Sequence, residues 1–156
     1  MTATAGDGQV TLSWNGTAET DSYIVKRSTT NGGPYSIVAS NLTSTTFVNT
    51  GLNNGTWYYF VVSSVNLAGQ SPNSGQASAR PIASTPPQIG YGTSGNQLQL
   101  AWPADHTGWL LQAQTNTPGV GLSTNWVTVP GSSSVNSWSI TIDSTLGSVF
   151  FRLVYP

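Results

Sequence analysis

The strongest constraint on this chain is a two-residue alternation of apolar and polar side chains that recurs along nearly its whole length. It is plain in QVTLSW, SYIVKRS, TWYYFVVSSV, QLQLAW, WLLQAQ and SWSITID, with clusters of Gly, Asn, Pro and Ser between the runs. Successive side chains of a strand point to opposite faces, so each run offers one face for burial. No stretch carries the i, i+3, i+4, i+7 apolar pattern of an amphipathic helix. Seventeen glycines and nine prolines supply the turns that many short strands require. The expectation is an all-β chain of antiparallel sandwich architecture.

The segment ARPIASTPPQIGYGTSG, residues 79 to 95, interrupts the alternation with prolines and small polar residues. This places a first domain at 1–82, a Pro/Ser/Gly linker at 83–95 and a smaller domain at 96–156. Pro81, Pro86 and Pro87 favour an extended, semi-rigid connection. The two blocks open alike, GQVTLSWNGTAETDSYIVKRSTTN against NQLQLAWPADHTGWLLQAQTN. Each has a strand ending in Trp, a polar loop, then a strand opening with an aromatic residue. Further on, YSIVAS and TTFVNT match NWVTVP and SWSITID, and GTWYYFVV matches GSVFFRLV. The reading is two tandem β-sandwiches of similar topology, the second missing a strand or two.

Composition removes several function classes. Only 6% of residues are charged and only four are Lys or Arg, too few for the cation clusters that nucleic acid demands. The absence of cysteine excludes disulfides, thiolate metal sites and thiol nucleophiles. No apolar run approaches the ~20 residues of a membrane span, and Met1 leads into polar TATAGDGQ without a signal-peptide pattern, so the sequence reads as an excised piece. A surface rich in Thr, Ser, Asn and Gly and poor in Lys is what a secreted bacterial module would present.

Through QVTLSW with Trp14, DSYIVKRS and LNNGTWYYFVVSSVNLAGQSPNS, residues 3 to 82 resemble the fibronectin type III family, the first two matching its second strand with a core tryptophan and its third strand. LNNGTWYYFVVSSVNLAGQSPNS resembles the corner and strand that carry the tyrosine corner, here Tyr58, whose hydroxyl would be satisfied by backbone upstream. Phe60 and Val62 would follow it inward, against Val10, Leu12, Trp14, Tyr23, Val25 and Phe47, with Phe47 sensitive to a register slip. Trp57, Tyr59 and Val61 then fall on the outer face. They would form either a surface patch for a sugar or partner, or cross-strand pairs that simply stabilise the sheet. No Arg-Gly-Asp is present. The resemblance implies a spacer.

In the second block, Trp102 aligns with Trp14 and Trp109 with Tyr23, so both are expected in the core, anchoring the loop PADHTG between them. Asp105 and His106 would lie at its tip, with Asp105 capping backbone N–H groups. Asp beside His is a weak catalytic signal without a positioned nucleophile, and glycoside hydrolysis would need two facing carboxylates where this block has only Asp105 and Asp143. No metal, cofactor or catalytic residue is assigned. Trp138 is in phase with Ile140 and Ile142 and is expected in the core, and Phe151 and Leu153 face inward in one of two registers. Trp126 is expected outward if Val127 and Val129 face in, beside Gln112 and Gln114 on the neighbouring strand. An aromatic face flanked by amides suits a sugar, so the candidate carbohydrate site is Trp126, Gln112 and Gln114, with Asp105, His106 and Trp109 nearby.

Residues 86 to 156, through LAWPADHTGWLLQAQTN, LSTNWVTVPGS and GSVFFRLVYP, resemble a short C-terminal module of large secreted bacterial proteins, many of them polysaccharide-degrading. That resemblance implies location and company rather than mechanism. The expectation is a monomeric, noncatalytic accessory region. It would be extracellular, covalently linked to a catalytic domain, and its partner a neutral polysaccharide of the plant cell wall. The alternatives are a structural spacer without ligand and a protein adhesion module.

Overall fold

A computed structural model describes residues 1–143 and 145–155, and the chain divides into two compact units, Met1–Ala83 and Ser84–Pro156. The first unit holds β1 (Thr2–Gly6), β2 (Gln9–Ser13), β3 (Ser22–Ser28), β4 (Ser36–Leu42), β5 (Thr46–Asn49), β6 (Tyr58–Asn66), β7 (Gly69–Gln70) and β8 (Ala77–Ala79). One sheet runs β1-β2-β5; the other runs β4-β3-β6-β7, with β8 also paired to β6. Every pairing is antiparallel.

The alternation of β2, β3 and β6 places Val10, Leu12, Tyr23, Val25, Phe60 and Val62 in one buried cluster. Trp14 and Phe47 pack partly buried against it, and Trp14 meets Tyr23 edge-on at 5.4 Å between ring centroids. Tyr58 is buried, and its hydroxyl accepts the Asn53 N–H at 3.0 Å, which fixes the loop before β6. Between β7 and β8 the edge of β6 is completed by serine hydroxyls. Ser74 accepts the Val62 N–H and Ser71 accepts the Ser64 N–H, each at 3.0 Å. Val61, expected outward with Trp57 and Tyr59, is instead buried. It lies directly opposite Lys26, whose ammonium reaches across to Asn73, and the next outward residue, Ser63, is bonded to Gln70. The outer face of β6 is thus covered at one end and open at the other.

The second unit holds β9 (Gly90–Ser94), β10 (Gln97–Ala101), β11 (Leu110–Asn116), β12 (Val127–Thr128), β13 (Ser137–Thr141) and β14 (Ser148–Val154). Its sheets are β9-β10-β13 and β12-β11-β14. Order and direction repeat the first unit, with β10 between its neighbours as β2 is, and β11 between its neighbours as β3 is. Among the described residues no counterpart of β7 or β8 occurs. Leu100, Trp102 and Leu111 form the buried centre, and Leu98, Val129, Trp138, Ile140, Phe151 and Leu153 pack on it.

One boundary differs from the sequence reading. Residues 90–94, read as linker, form β9, paired with β10 from Gly90↔Ala101 to Ser94↔Gln97. GYGTS carries no apolar alternation because all five residues are exposed, so burial left no imprint on this strand.

Candidate functional site

The outer face of β12-β11-β14 brings together side chains from all three strands. Gln112 lies opposite both Thr128 and Arg152. Its amide nitrogen donates to Thr128 Oγ1 at 3.2 Å, and its amide oxygen accepts from Arg152 Nε at 2.9 Å. The Arg152 guanidinium in turn stands 4.3 Å from the ring centroid of Trp126. Trp126 and Gln112 are half-buried, while Arg152 and Thr128 are exposed. The result is a row of aromatic ring, cation, amide and hydroxyl, partly open to solvent, with the chemistry to stack on and hydrogen-bond a polyhydroxylated ligand. Val127 is exposed and Val129 packs inward, because β12 is only two residues long and its edge is uncovered.

Gln114 does not belong to this face as expected. It is 1% exposed. Its amide nitrogen donates to Ser123 Oγ at 2.6 Å and to Asn125 Oδ1, and its amide oxygen accepts the Ser123 N–H at 3.1 Å. Asn116, two residues on, donates to the Gly121 carbonyl at 2.6 Å. Both residues have the outward phase, but the segment 117–125 folds over them, and their amides replace the backbone partners that segment lacks. Gln114 therefore holds the loop that delivers Trp126.

Asp105 and His106 also differ from expectation. They occupy a single 3-10 turn, Ala104–His106, rather than a loop tip, and among the described residues the Asp105 carboxylate bonds His106 rather than a backbone N–H. His106 is 6% exposed. Its Nδ1 lies 2.6 Å from Asp105 Oδ1, and its Nε2 lies 2.7 Å from the Thr85 carbonyl oxygen. The ring packs on Trp109 at 5.6 Å, and Trp109 meets Tyr155 edge-on at 5.5 Å. With both nitrogens engaged and the ring buried, His106 has no free site from which to accept a substrate proton. Trp109 is buried beneath it and offers no face to a sugar. This cluster ties the start of the second unit to its core.

The first unit presents a smaller aromatic patch. Trp57 is 48% exposed and lies near-parallel to Tyr59, their centroids 6.5 Å apart, with the Arg80 guanidinium 5.7 Å from the Trp57 ring. Trp102 is buried, Trp138 packs partly buried, and a groove of about 500 Å³ opens beside Trp138, with Ile142, Leu146 and Val149 at its lining. Among the described residues no group of three His, Cys, Asp or Glu is placed to hold a metal, and no helix is long and apolar enough to cross a membrane.

Arg152 is the site residue that sequence reasoning passed over. Its signal was present in the outward phase of FFRL once Phe151 and Leu153 face in, but its neighbours are set by the pairing of β14 with β11.

Two antiparallel sandwiches, the first with a tyrosine hydrogen-bonded to the backbone at its sheet corner, define a tandem of immunoglobulin-like modules. The chain belongs to the fibronectin type III family, whose domain profile matches residues 1–80. It is 41% identical over 69 residues to an amylopullulanase of Thermoanaerobacterium saccharolyticum, which covers 44% of this chain and 5% of that protein. It is 35% identical over 99 residues to an amylopullulanase of Thermoanaerobacter thermohydrosulfuricus, which covers 63% of this chain and 6% of that protein. The chain therefore spans a small segment of each relative. Among solved structures, a β-1,2-glucanase from Parabacteroides distasonis aligns at a TM-score of 0.50 and 22% identity, over 55% of this chain and 12% of that one, a likeness of fold alone.

Proposed function

We propose that this chain is a noncatalytic accessory region of a secreted bacterial glycan-active enzyme. The first unit serves as spacer, and the second holds polysaccharide on the outer face of β12-β11-β14. The observation that carries the binding role is the row Trp126, Arg152, Gln112 and Thr128, whose ring, cation, amide and hydroxyl suit the C–H faces and hydroxyls of a sugar. The similarity to segments of two amylopullulanases supports covalent linkage to a glycan-active catalytic domain. Binding by one open, shallow row implies modest affinity, with retention gained through the attached enzyme.

The test is retention of the purified chain on a panel of soluble and insoluble polysaccharides, starch, pullulan and plant cell-wall glycans among them. Retention by one class that is lost in Trp126→Ala, with an unchanged circular dichroism spectrum, is the expected result. Passage through the whole panel would sink the binding role. A second reading, a spacer with no ligand, draws on Arg152 already covering one face of Trp126. Under it, Arg152→Ala and Trp126→Ala alter stability and nothing else.

A further inference from the structure

The outer face of β6 is open where Trp57 and Tyr59 leave it. Tyr59 lies opposite Ser78 of β8. One step beyond that ladder Trp57 comes opposite Arg80, and the pairing is held there because Gly55 donates its N–H to the Pro81 carbonyl at 2.8 Å. Four side chains thus share one face in two rows, each row an aromatic ring beside a polar group. Ser78 is exposed. Among the described residues neither its hydroxyl nor the Arg80 guanidinium has a hydrogen-bond partner, and the guanidinium meets the Trp57 ring instead.

The rest of that face is closed by a polar wall. Tyr35, one residue before β4, donates its hydroxyl hydrogen to Gln76 Oε1, one residue before β8, although β3 and β6 lie between those strands. The same oxygen accepts the Gly32 N–H at 3.0 Å, and the Gln76 amide donates to Asn31 Oδ1 at 2.8 Å. The outward residues Ser28 and Val61 are accordingly buried. The two rings therefore end against amide and hydroxyl groups rather than against further apolar surface.

These walls say what the face accommodates. The other exposed large apolar residues of the first unit lie apart from it, Ile37 on β4, Val48 on β5 and Leu67 after β6. Two aromatic side chains offer at most about 500 Å² of contact, short of the about 800 Å² per partner that a stable protein interface buries. A pyranose asks for less. In the gluco configuration its hydroxyls are equatorial, which leaves C–H faces for the rings and a rim of oxygens for Arg80 and Ser78. The pairing of a surface tryptophan with a guanidinium recurs in the second unit at Trp126 and Arg152.

We propose that Trp57, Tyr59, Ser78 and Arg80 form a second glycan-binding subsite, on the first unit, that takes a short stretch of a gluco-configured polysaccharide. The first unit then contributes a contact of its own to the glycan as well as spacing. The subsite stands independently of the row on β12-β11-β14.

The experiment titrates the full chain carrying Trp126→Ala, which takes the second unit's row out of play, with maltohexaose and separately with cellohexaose. The indole N–H of Trp57 and the backbone N–H of Ser78 are followed by NMR. Saturable shifts of both signals with one of the two sugars are expected. Adding Trp57→Ala should weaken that binding about tenfold, read at Ser78, whereas Trp57→Phe keeps an aromatic face and should stay within about threefold. Signals unmoved by either sugar, or shifts at Ser78 that persist in Trp57→Ala, overturn the proposal. Shifts seen with Trp126 present and lost in Trp126→Ala would show that the first unit has no independent subsite. Concentration-dependent line broadening at Trp57 that sugar does not relieve would give the face to a second copy of the chain and overturn the ligand stated here.

Discussion

The guanidinium of Arg152 sits 4.3 Å from the ring centroid of Trp126 while its Nε is held by Gln112, so the only Lys or Arg of the second unit is positioned by an amide and an aromatic ring rather than by a carboxylate. Exposed cation–π contacts contribute about 0.5–1 kcal/mol. Arg152→Ala is expected to destabilise the second unit by about 1 kcal/mol and to shift tryptophan emission to the red as the ring meets water. An unchanged emission spectrum would show that the cation does not shield this ring.

His106 should matter far more to stability than to binding. Its ring bridges Asp105 and the Thr85 carbonyl and packs on Trp109. His106→Ala leaves a buried acceptor unmet beside a cavity, and the expected cost is about 3 kcal/mol. Calorimetry of the full chain should show one unfolding transition lowered and the other in place. Loss of polysaccharide retention at a temperature where the variant remains folded would contradict this assignment.

Gln114 controls a loop. Gln114→Leu keeps the residue's size but removes its bonds to Ser123 and Asn125. Segment 117–125, with Gly119 and Gly121 within it, is then expected to become the first site of proteolytic nicking, at least tenfold faster than in the unsubstituted chain. Equal cleavage rates, followed by mass spectrometry, would refute the role given to this amide.

Acid should loosen the turn after β13. The hydroxyl and amide of Thr145 donate to Asp143 Oδ1 at 2.6 and 2.9 Å and hold its carboxyl below the usual carboxylate range. A folded-state value lower than the unfolded one means the contribution to stability is complete above the ordinary value of about 4 and fades as pH falls through the lower folded value. An NMR titration of the Asp143 carboxyl is expected to show a depressed midpoint that returns toward normal in Thr145→Val. A midpoint unaffected by that substitution would remove Thr145 as the cause.

Strand alternation made much of the fold legible. QVTLSW and QLQLAW display their buried faces directly, and Tyr58 could be placed through the resemblance of its segment to the fibronectin type III corner. Strand β9 was invisible for the opposite reason, since a strand that buries no side chain leaves no periodicity. The site was half legible. Gln112 and Trp126 could be put on one face by phase, whereas Gln114 has the same phase and is buried by a loop whose path depends on hydrogen bonds between residues about ten apart. His106 was placed at a loop tip because a polar PADHTG looks like solvent-exposed turn. Only the 21-residue reach to Thr85 shows why it is buried. Long-range pairing of polar groups is what alternation does not encode.

Strand β9 also sets where the second unit opens first. An element whose side chains all face water is held only by its ladder to β10, so its release costs little of the unit's apolar burial. In native-state hydrogen exchange the amides of residues 90–94 would report brief, local excursions while β10 and β11 still report global unfolding. This edge strand would thus behave as a hatch on an otherwise cooperative core.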